Sequence, residues 1–211
     1  MIRILVDPER PDCASIERAA SVIRLGGVAA IPTDTLYGLA ADPGNVEAVR
    51  RVFAIKGRSA TQGLPLVAAD IPQVEQWFGV LPVMGIRLGS RFWPGALTLL
   101  VSAPSRLVSE VTGGLPTVGV RVPGHAVTRA LCAACGFPLT ATSANFSGEP
   151  ATSDPDAVIR ALGDAVDVTV DAGRSPGGLA STIVDVTSSA PRLVRAGAIS
   201  WDEIQACVQA P

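Results

Sequence analysis

The residues able to do chemistry in this chain gather in a few short stretches rather than along any one element. Thr33, Asp34, Thr35 and Tyr37 stand between Pro32 and Gly38, and Lys56 and Arg58 share the tripeptide K-G-R. Arg121 lies in T-V-G-V-R, which begins at Thr117. Ser143 and Asn145 lie in the loop Thr142 to Gly148, and Ser181 follows a glycine-rich run from Gly173. Arg195 comes near the end. Each stretch offers hydroxyls, amides or cations. Taken singly, none is more polar than loops usually are. Together they recur at predicted strand and helix ends, as a site for a nucleotide plus a carboxylate substrate would require. Lys56 is the only lysine among 17 lysines and arginines. Lysine is a compact point charge and arginine a planar fork, so a chain that otherwise writes arginine marks this position as special.

The elements that position these groups follow from pattern. Val28 to Ile31 is an apolar strand that stops at Pro32, which cannot donate to a sheet ladder. Asn45 caps a helix whose Val46, Val49, Val52 and Phe53 share a face and whose C-terminal end delivers Lys56. Ser59 to Gly63 is polar and reads as a mobile loop suited to closing over a ligand. Further strands are expected at Ile2–Val6, Leu64–Ala68, Leu97–Val101, Val118–Val122, Leu139–Ala141, Val166–Asp171, Thr182–Val186 and Arg192–Arg195. Helices are expected at Ala14–Leu25 behind Asp12, from Asp70 towards Trp77, at Val83–Phe92, Arg106–Val111 and Ala126–Cys135, and from a Ser153 cap to Leu162. Ser200 and Glu203 form a capping box for a last helix. Thr142 to Pro150 reads as loop. Strands and helices mingle without strict alternation, which predicts an α/β domain with a twisted, mixed parallel and antiparallel sheet and flanking helices. One domain is expected over 1–211, with the helix at 200–209 as an appendage.

Composition excludes several classes. With 48% hydrophobic residues the chain can bury a full core, and its net charge of −2 does not make it a general nucleic-acid binder. No apolar run reaches roughly 18 residues, so no membrane partner is expected. The opening M-I-R-I-L-V-D turns acidic too soon for a secretory signal, and four cysteines without one suggest the cytoplasm. There is no G-x-x-x-x-G-K-S/T loop, no G-x-G-x-x-G after a strand and no G-x-S-x-G elbow. His125, the sole histidine, reads as a capping or surface residue. Cys132 and Cys135 fall one turn apart in an apolar helix and read as core, with no second pair to complete a zinc site.

The motifs also carry a resemblance. P-T-D-T-L-Y-G-L (Pro32 to Leu39), K-G-R, W-P-G-A-L-T (Trp93 to Thr98), V-G-V-R-V-P (Val118 to Pro123), T-S-A-N-F-S-G, S-T-I-V-D (Ser181 to Asp185) and R-A-G (Arg195 to Gly197) occur in that order. The chain resembles the YrdC family, the threonylcarbamoyl-AMP synthases that begin formation of threonylcarbamoyladenosine in tRNA. The resemblance implies a YrdC-like fold with a concave basic site. It implies that L-threonine, bicarbonate (or CO2) and ATP give threonylcarbamoyl-AMP and pyrophosphate, with Mg²⁺ on the phosphates and the product passed to a tRNA threonylcarbamoyl transferase complex. It places Thr33, Arg121, the Ala141 backbone and Ser181 at threonine. Lys56, Ala60, Thr117, Ser143, Asn145, Ala151 and Arg195 fall at the nucleotide. Arg58 stands with Lys56 and Arg195 in the reacting centre, and Thr35 and Tyr37 line the site. No residue reads as a general base.

Ser59 replaces a common proline, and Leu66-Val67-Ala68 is apolar where some members carry a histidine. Longer members add a C-terminal domain, whereas here one helix follows Arg195. Two other classes stay open. One is an RNA-binding module acting through a basic concave face, for which weak RNA contact is the minimum. The other is a carbamoyl-transfer or regulatory paralogue.

Overall fold

A computed structural model of the chain describes residues 1–57 and 63–209. Eleven strands occur among the described residues, divided between two sheets. The first sheet holds β1 (Ile2–Leu5), β2 (Ala29–Ile31), β3 (Gly38–Ala40), β8 (Thr142–Ser143) and β9 (Val168–Asp171). Their spatial order is β1-β9-β2-β3-β8. The second holds β4 (Leu66–Val67), β5 (Leu97–Ser102), β6 (Thr117–Arg121), β7 (Leu139–Thr140), β10 (Thr182–Asp185) and β11 (Arg192–Arg195). Here the order is β11-β10-β5-β6-β4-β7. Pairing is mixed in both: β1 and β2 run parallel to β9, while β3 is antiparallel to β2 and β8. The expected α/β class with mixed pairing is therefore present, spread over two sheets.

Helices form where caps and apolar faces predict them. The carboxylate of Asp12 accepts from Ser15 N at the start of α1 (Cys13–Arg24), and Asn45 Oδ1 accepts from Glu47 N and Ala48 N at the start of α2 (Val46–Lys56). Asp70 caps α3 (Ile71–Phe78). The helices α4 (Val83–Phe92), α5 (Ser109–Thr112) and α6 (Ala126–Cys135) follow. The cap of α7 (Pro155–Leu162) is Asp154, not Ser153: its side chain accepts from Asp156 N, and Pro155 occupies the first turn, where its missing N–H costs nothing. Ser200 and Glu203 form the reciprocal capping box before α8 (Trp201–Gln209).

Strand alternation sorts side chains into two cores. Along β2 and the residue before it, Val28 and Ala30 enter one core while Ala29 and Ile31 enter the other. Leu66 and Val67 split β4 in the same way. One core lies beneath α1 and α6 and holds Cys132 and Cys135. Burial pushes both thiols up, Cys135 to about 12, so they remain inert core groups. The other core includes α2 and reaches α8, whose Ile204 is fully buried in it. The Arg87 guanidinium on α4 donates to Val208 O at 2.8 Å, fastening the last helix to the body.

Two short strands were not predicted. β3 is Gly-Leu-Ala and β8 is Thr-Ser, too short to show a period of two. Both exist because they pair with each other, Gly38 opposite Ser143 and Leu39 opposite Thr142. The chain leaves the second sheet at Thr140 and enters the first at Thr142, so Ala141 is the crossing point between the sheets.

Candidate active site

A cavity of about 630 Å³ opens where the two sheets meet. Its walls come from the turn between β2 and β3, the strands β4, β5, β6 and β10, the Ala141 crossing and Arg195. On β6, Thr117, Gly119 and Arg121 share the cavity face by alternation, while Val118 and Val120 pack into the core, Val118 at the cavity's edge. Gly119 keeps the floor open, because a Cβ there would come within 3.0 Å of the Thr98 methyl. On β5, Thr98 and Leu100 face the cavity and Leu97 and Leu99 the core.

The residues expected at the site fall as follows. Thr33, Thr35, Tyr37, Thr117, Arg121, Ala141, Ser143, Ala151, Ser181 and Arg195 line the cavity. Lys56 and Asn145 stand immediately behind Ser143, bonded to it. Arg58, Ala60 and the loop segment 59–62 lie outside the described residues.

Lys56 is 3% exposed. Its ammonium donates to Ser143 O at 2.7 Å, Ser143 Oγ at 3.1 Å and Asn145 Oδ1 at 2.6 Å. These three acceptors converge on one nitrogen, an arrangement that a planar guanidinium could not reproduce. Gly57 ends α2 in the left-handed conformation at φ 64°, and Ser147 N donates to Lys56 O at 2.8 Å. The loop carrying Ser143 and Asn145 is thus docked on the C-terminal end of α2, where the cation is also favoured by the helix dipole.

Arg121 is buried, its Nη2 2.9 Å from Asp34 Oδ1. Burial holds its pKa below the usual arginine value; Asp34 opposes that shift and the nearby Arg195 adds to it. Arg195 Nη2 donates to Ser181 O at 2.8 Å and Ser181 Oγ at 3.2 Å. Ser181 Oγ is also 2.8 Å from Thr98 Oγ1. Residue type alone gives Thr98 of W-P-G-A-L-T no role; only the β5–β10 pairing, Ile183 opposite Thr98, brings the two hydroxyls together.

Two hydroxyls expected to line the site are engaged by the protein itself. Thr33 Oγ1 donates to Leu36 O at 2.7 Å and accepts from Thr35 N and Leu36 N, which shapes the turn. Tyr37 is fully buried; its hydroxyl donates to Gly173 O at 2.8 Å and accepts from Ala172 N, and burial raises its pKa so that it stays neutral. It braces the glycine-rich loop against β3. His125 holds the N-cap position of α6 without a side-chain cap bond.

Gly197 explains the R-A-G motif. A Cβ at that position would lie 2.3 Å from Ala180 O and 2.5 Å from Thr182 N. These are backbone atoms that no rotamer change can clear, and they flank Ser181. Gly197→Ala is expected to destabilise the fold by about 3 kcal/mol, a fall of about 6–12 °C in melting temperature. It should also displace Ser181 and Arg195. Thermal unfolding checks it; an unchanged midpoint would show that the chain absorbs the clash.

Fold and cavity together define a mixed α/β protein with a cation- and hydroxyl-lined cleft between two sheets. The profile of the Sua5/YciO/YrdC family, described as "Telomere recombination", matches residues 21–197, and the chain belongs to this family. It is 38% identical over 194 residues to the threonylcarbamoyl-AMP synthase of Bacillus subtilis, covering 92% of this chain and 56% of that protein. The crystal structure of Pyrococcus abyssi Sua5 complexed with L-threonine superposes with a TM-score of 0.92 at 35% identity, covering 99% of this chain and 61% of that one. Escherichia coli YciO superposes at 0.86 with 25% identity, covering 97% and 100%. The chain therefore spans less than two thirds of the first two relatives.

Proposed function

We propose that this chain is an L-threonylcarbamoyladenylate synthase, a nucleotidyltransferase acting on L-threonine, bicarbonate or CO2, and ATP. The single observation that carries the reading is the convergence of Thr117, Arg121, Ser143, Ser181 and Arg195 on one cavity, with the buried Lys56 ammonium bonded behind Ser143. The carbamate, the α-carboxylate and the triphosphate that must be brought together are all anionic, so cations and fixed donors supply the positioning that the reaction needs. The relative from Bacillus subtilis carries the synthase name, and the Pyrococcus abyssi relative binds L-threonine.

In this reading Arg121 pairs with the threonine carboxylate. The threonine amine bonds to the carbon of CO2 and releases a proton. A carbamate oxygen then bonds to the α-phosphorus of ATP, and pyrophosphate leaves with the electron pair of the broken P–O bond. Ser143 and Arg195 meet the nucleotide from the cavity wall, and Lys56 and Asn145 support it from behind Ser143. Among the described residues no group of three or more His, Cys, Asp or Glu could hold a metal ion. The ATP phosphates themselves would carry Mg²⁺, and no step here depends on a protein-bound metal. No membrane-crossing helix is found among the described residues. A cytoplasmic protein, folding over 1–211 as one domain and passing its product to a tRNA threonylcarbamoyl transferase, fits the same reading. Pyrophosphate release from ATP, measured with and without threonine and bicarbonate, tests it: release should require both. Salt-sensitive RNA binding without ATP turnover would favour the binding-module alternative.

Substrate choice follows from the lining. Thr35, Thr98 and Ser181 line the cavity, so valine, which puts a methyl where threonine offers a hydroxyl, forfeits a hydrogen bond to this polar lining and buries a methyl against it, at a cost of about 1–3 kcal/mol. Serine forfeits one methyl contact, about 1 kcal/mol. In competition assays serine should be a poor but detectable substrate and valine about 5- to 150-fold worse than threonine. Equal turnover of valine and threonine would rule out this pocket as the threonine site.

A further inference from the structure

Arg121 is not held by the cavity; it is held from behind. Asp34 Oδ1 lies 2.9 Å from Arg121 Nη2, and Asp34 Oδ2 accepts from the backbone N–H of Gly124 at 3.0 Å. One carboxylate thus joins the turn after β2, the end of β6 and the turn before α6. Gly124 permits this approach, since a Cβ there would stand 3.3 Å from Oδ2. The pair is shielded, the Arg121 side chain 8% and the Asp34 side chain 19% exposed. The other terminal nitrogen, Arg121 Nη1, is buried and has no hydrogen-bond partner among the described residues; the Nη2–Oδ1 contact is an ion pair, and Oδ1 likewise makes no hydrogen bond. Arg121 lines the cavity; Asp34 stands outside its wall.

We propose that Asp34 is a positioning residue for the acid end of the amino-acid substrate: it grips Arg121 by Nη2 and leaves Nη1 for a carboxylate in the cavity. The identity of that substrate rests on the synthase reading above; the geometry of the grip does not. Two effects oppose each other when Asp34 loses its charge. Its negative charge repels an incoming carboxylate, which by itself would make the substrate bind more tightly without it. Against this, a buried guanidinium without a counterion is costly to keep in place, so it moves towards water and leaves the carboxylate without a fixed donor. The second effect dominates because the side chain is long and, among the described residues, one carboxylate holds its head. An asparagine cannot replace the grip: it carries no charge, and if its carbonyl oxygen keeps the Gly124 N–H its NH2 group faces the Arg121 cation.

The test compares Asp34→Asn and Asp34→Glu with the parent. Threonine KM should rise about tenfold or more in each, while ATP KM stays within about twofold. Preference for threonine over threoninamide, which lacks the carboxylate, should shrink by a similar factor. In an Arg121→Ala background, Asp34→Asn should change threonine KM by less than about twofold, because the residue acts through Arg121. Unchanged or lower threonine KM in Asp34→Asn, or a parallel rise in ATP KM, would overturn the assignment. If neither variant folds, Asp34 is a structural brace and the assignment is equally wrong. Should the parent show no threonine-dependent pyrophosphate release, the synthase reading fails instead. Calorimetry with L-threonine on parent and Asp34→Asn then decides the grip separately: equal binding, or none to the parent, refutes it.

Discussion

Lys56→Ala is expected to abolish ATP-dependent pyrophosphate release while leaving a folded protein. The substitution removes a positive charge from the end of α2 and three hydrogen bonds that hold Ser143 and Asn145. Loss of one well-placed electrostatic group costs roughly 10²–10³-fold in catalysis, and here the neighbouring donors lose their anchor as well. The fold should survive because Asn145 Oδ1 still accepts from Ser143 Oγ at 2.6 Å and the loop still docks through Ser147 N on the helix end. Lys56→Arg is the sharper variant. It keeps the charge, yet a planar fork cannot place donors on three acceptors around one nitrogen, so activity should not return. Steady-state pyrophosphate assays with circular dichroism as the fold control decide this. A folded Lys56→Ala variant with near-normal turnover would remove Lys56 from the nucleotide site, and full rescue by arginine would show that charge alone matters.

Arg121→Ala should raise the KM for threonine by about 30-fold or more, the penalty for truncating one partner of a buried charge pair being about 2–5 kcal/mol. Serine should weaken in parallel, because both amino acids present the same carboxylate. The ATP KM should change little, since Arg121 is placed at the amino acid. Stability falls too, as Asp34 is left without its counterion, so thermal midpoints must accompany the kinetics. Arg121→Lys separates the two effects: it retains a cation for Asp34 and a more stable fold, but loses the fork and with it most threonine affinity. If either variant altered only the ATP dependence, the amino-acid site would lie elsewhere in the cleft.

The sequence by itself determined most of the elements and the identity of the reactive groups. Asp12, Asn45 and Asp70 cap helices because a side-chain oxygen before an apolar face satisfies the first free N–H groups, a rule that operates within four residues. The alternation in T-V-G-V-R already placed Thr117 and Arg121 on one side of a strand, opposite two valines. The sole lysine announced itself by composition.

What the tertiary structure alone decided is which loops meet and which partner each group takes. The strands β3 and β8 are too short to show a pattern; they form because Gly38 pairs with Ser143 across more than a hundred residues. A distant pairing likewise sets Thr98 against Ser181, and the local β10–β11 pairing then sets Arg195 opposite Ile183. It also turns Thr33 and Tyr37 inward to brace their own loops, and Asp34 towards Arg121, none of which residue type reveals. Caps and periodicities are local and readable in order, whereas a cavity between two sheets exists only after remote segments have paired and excluded water from the groups between them.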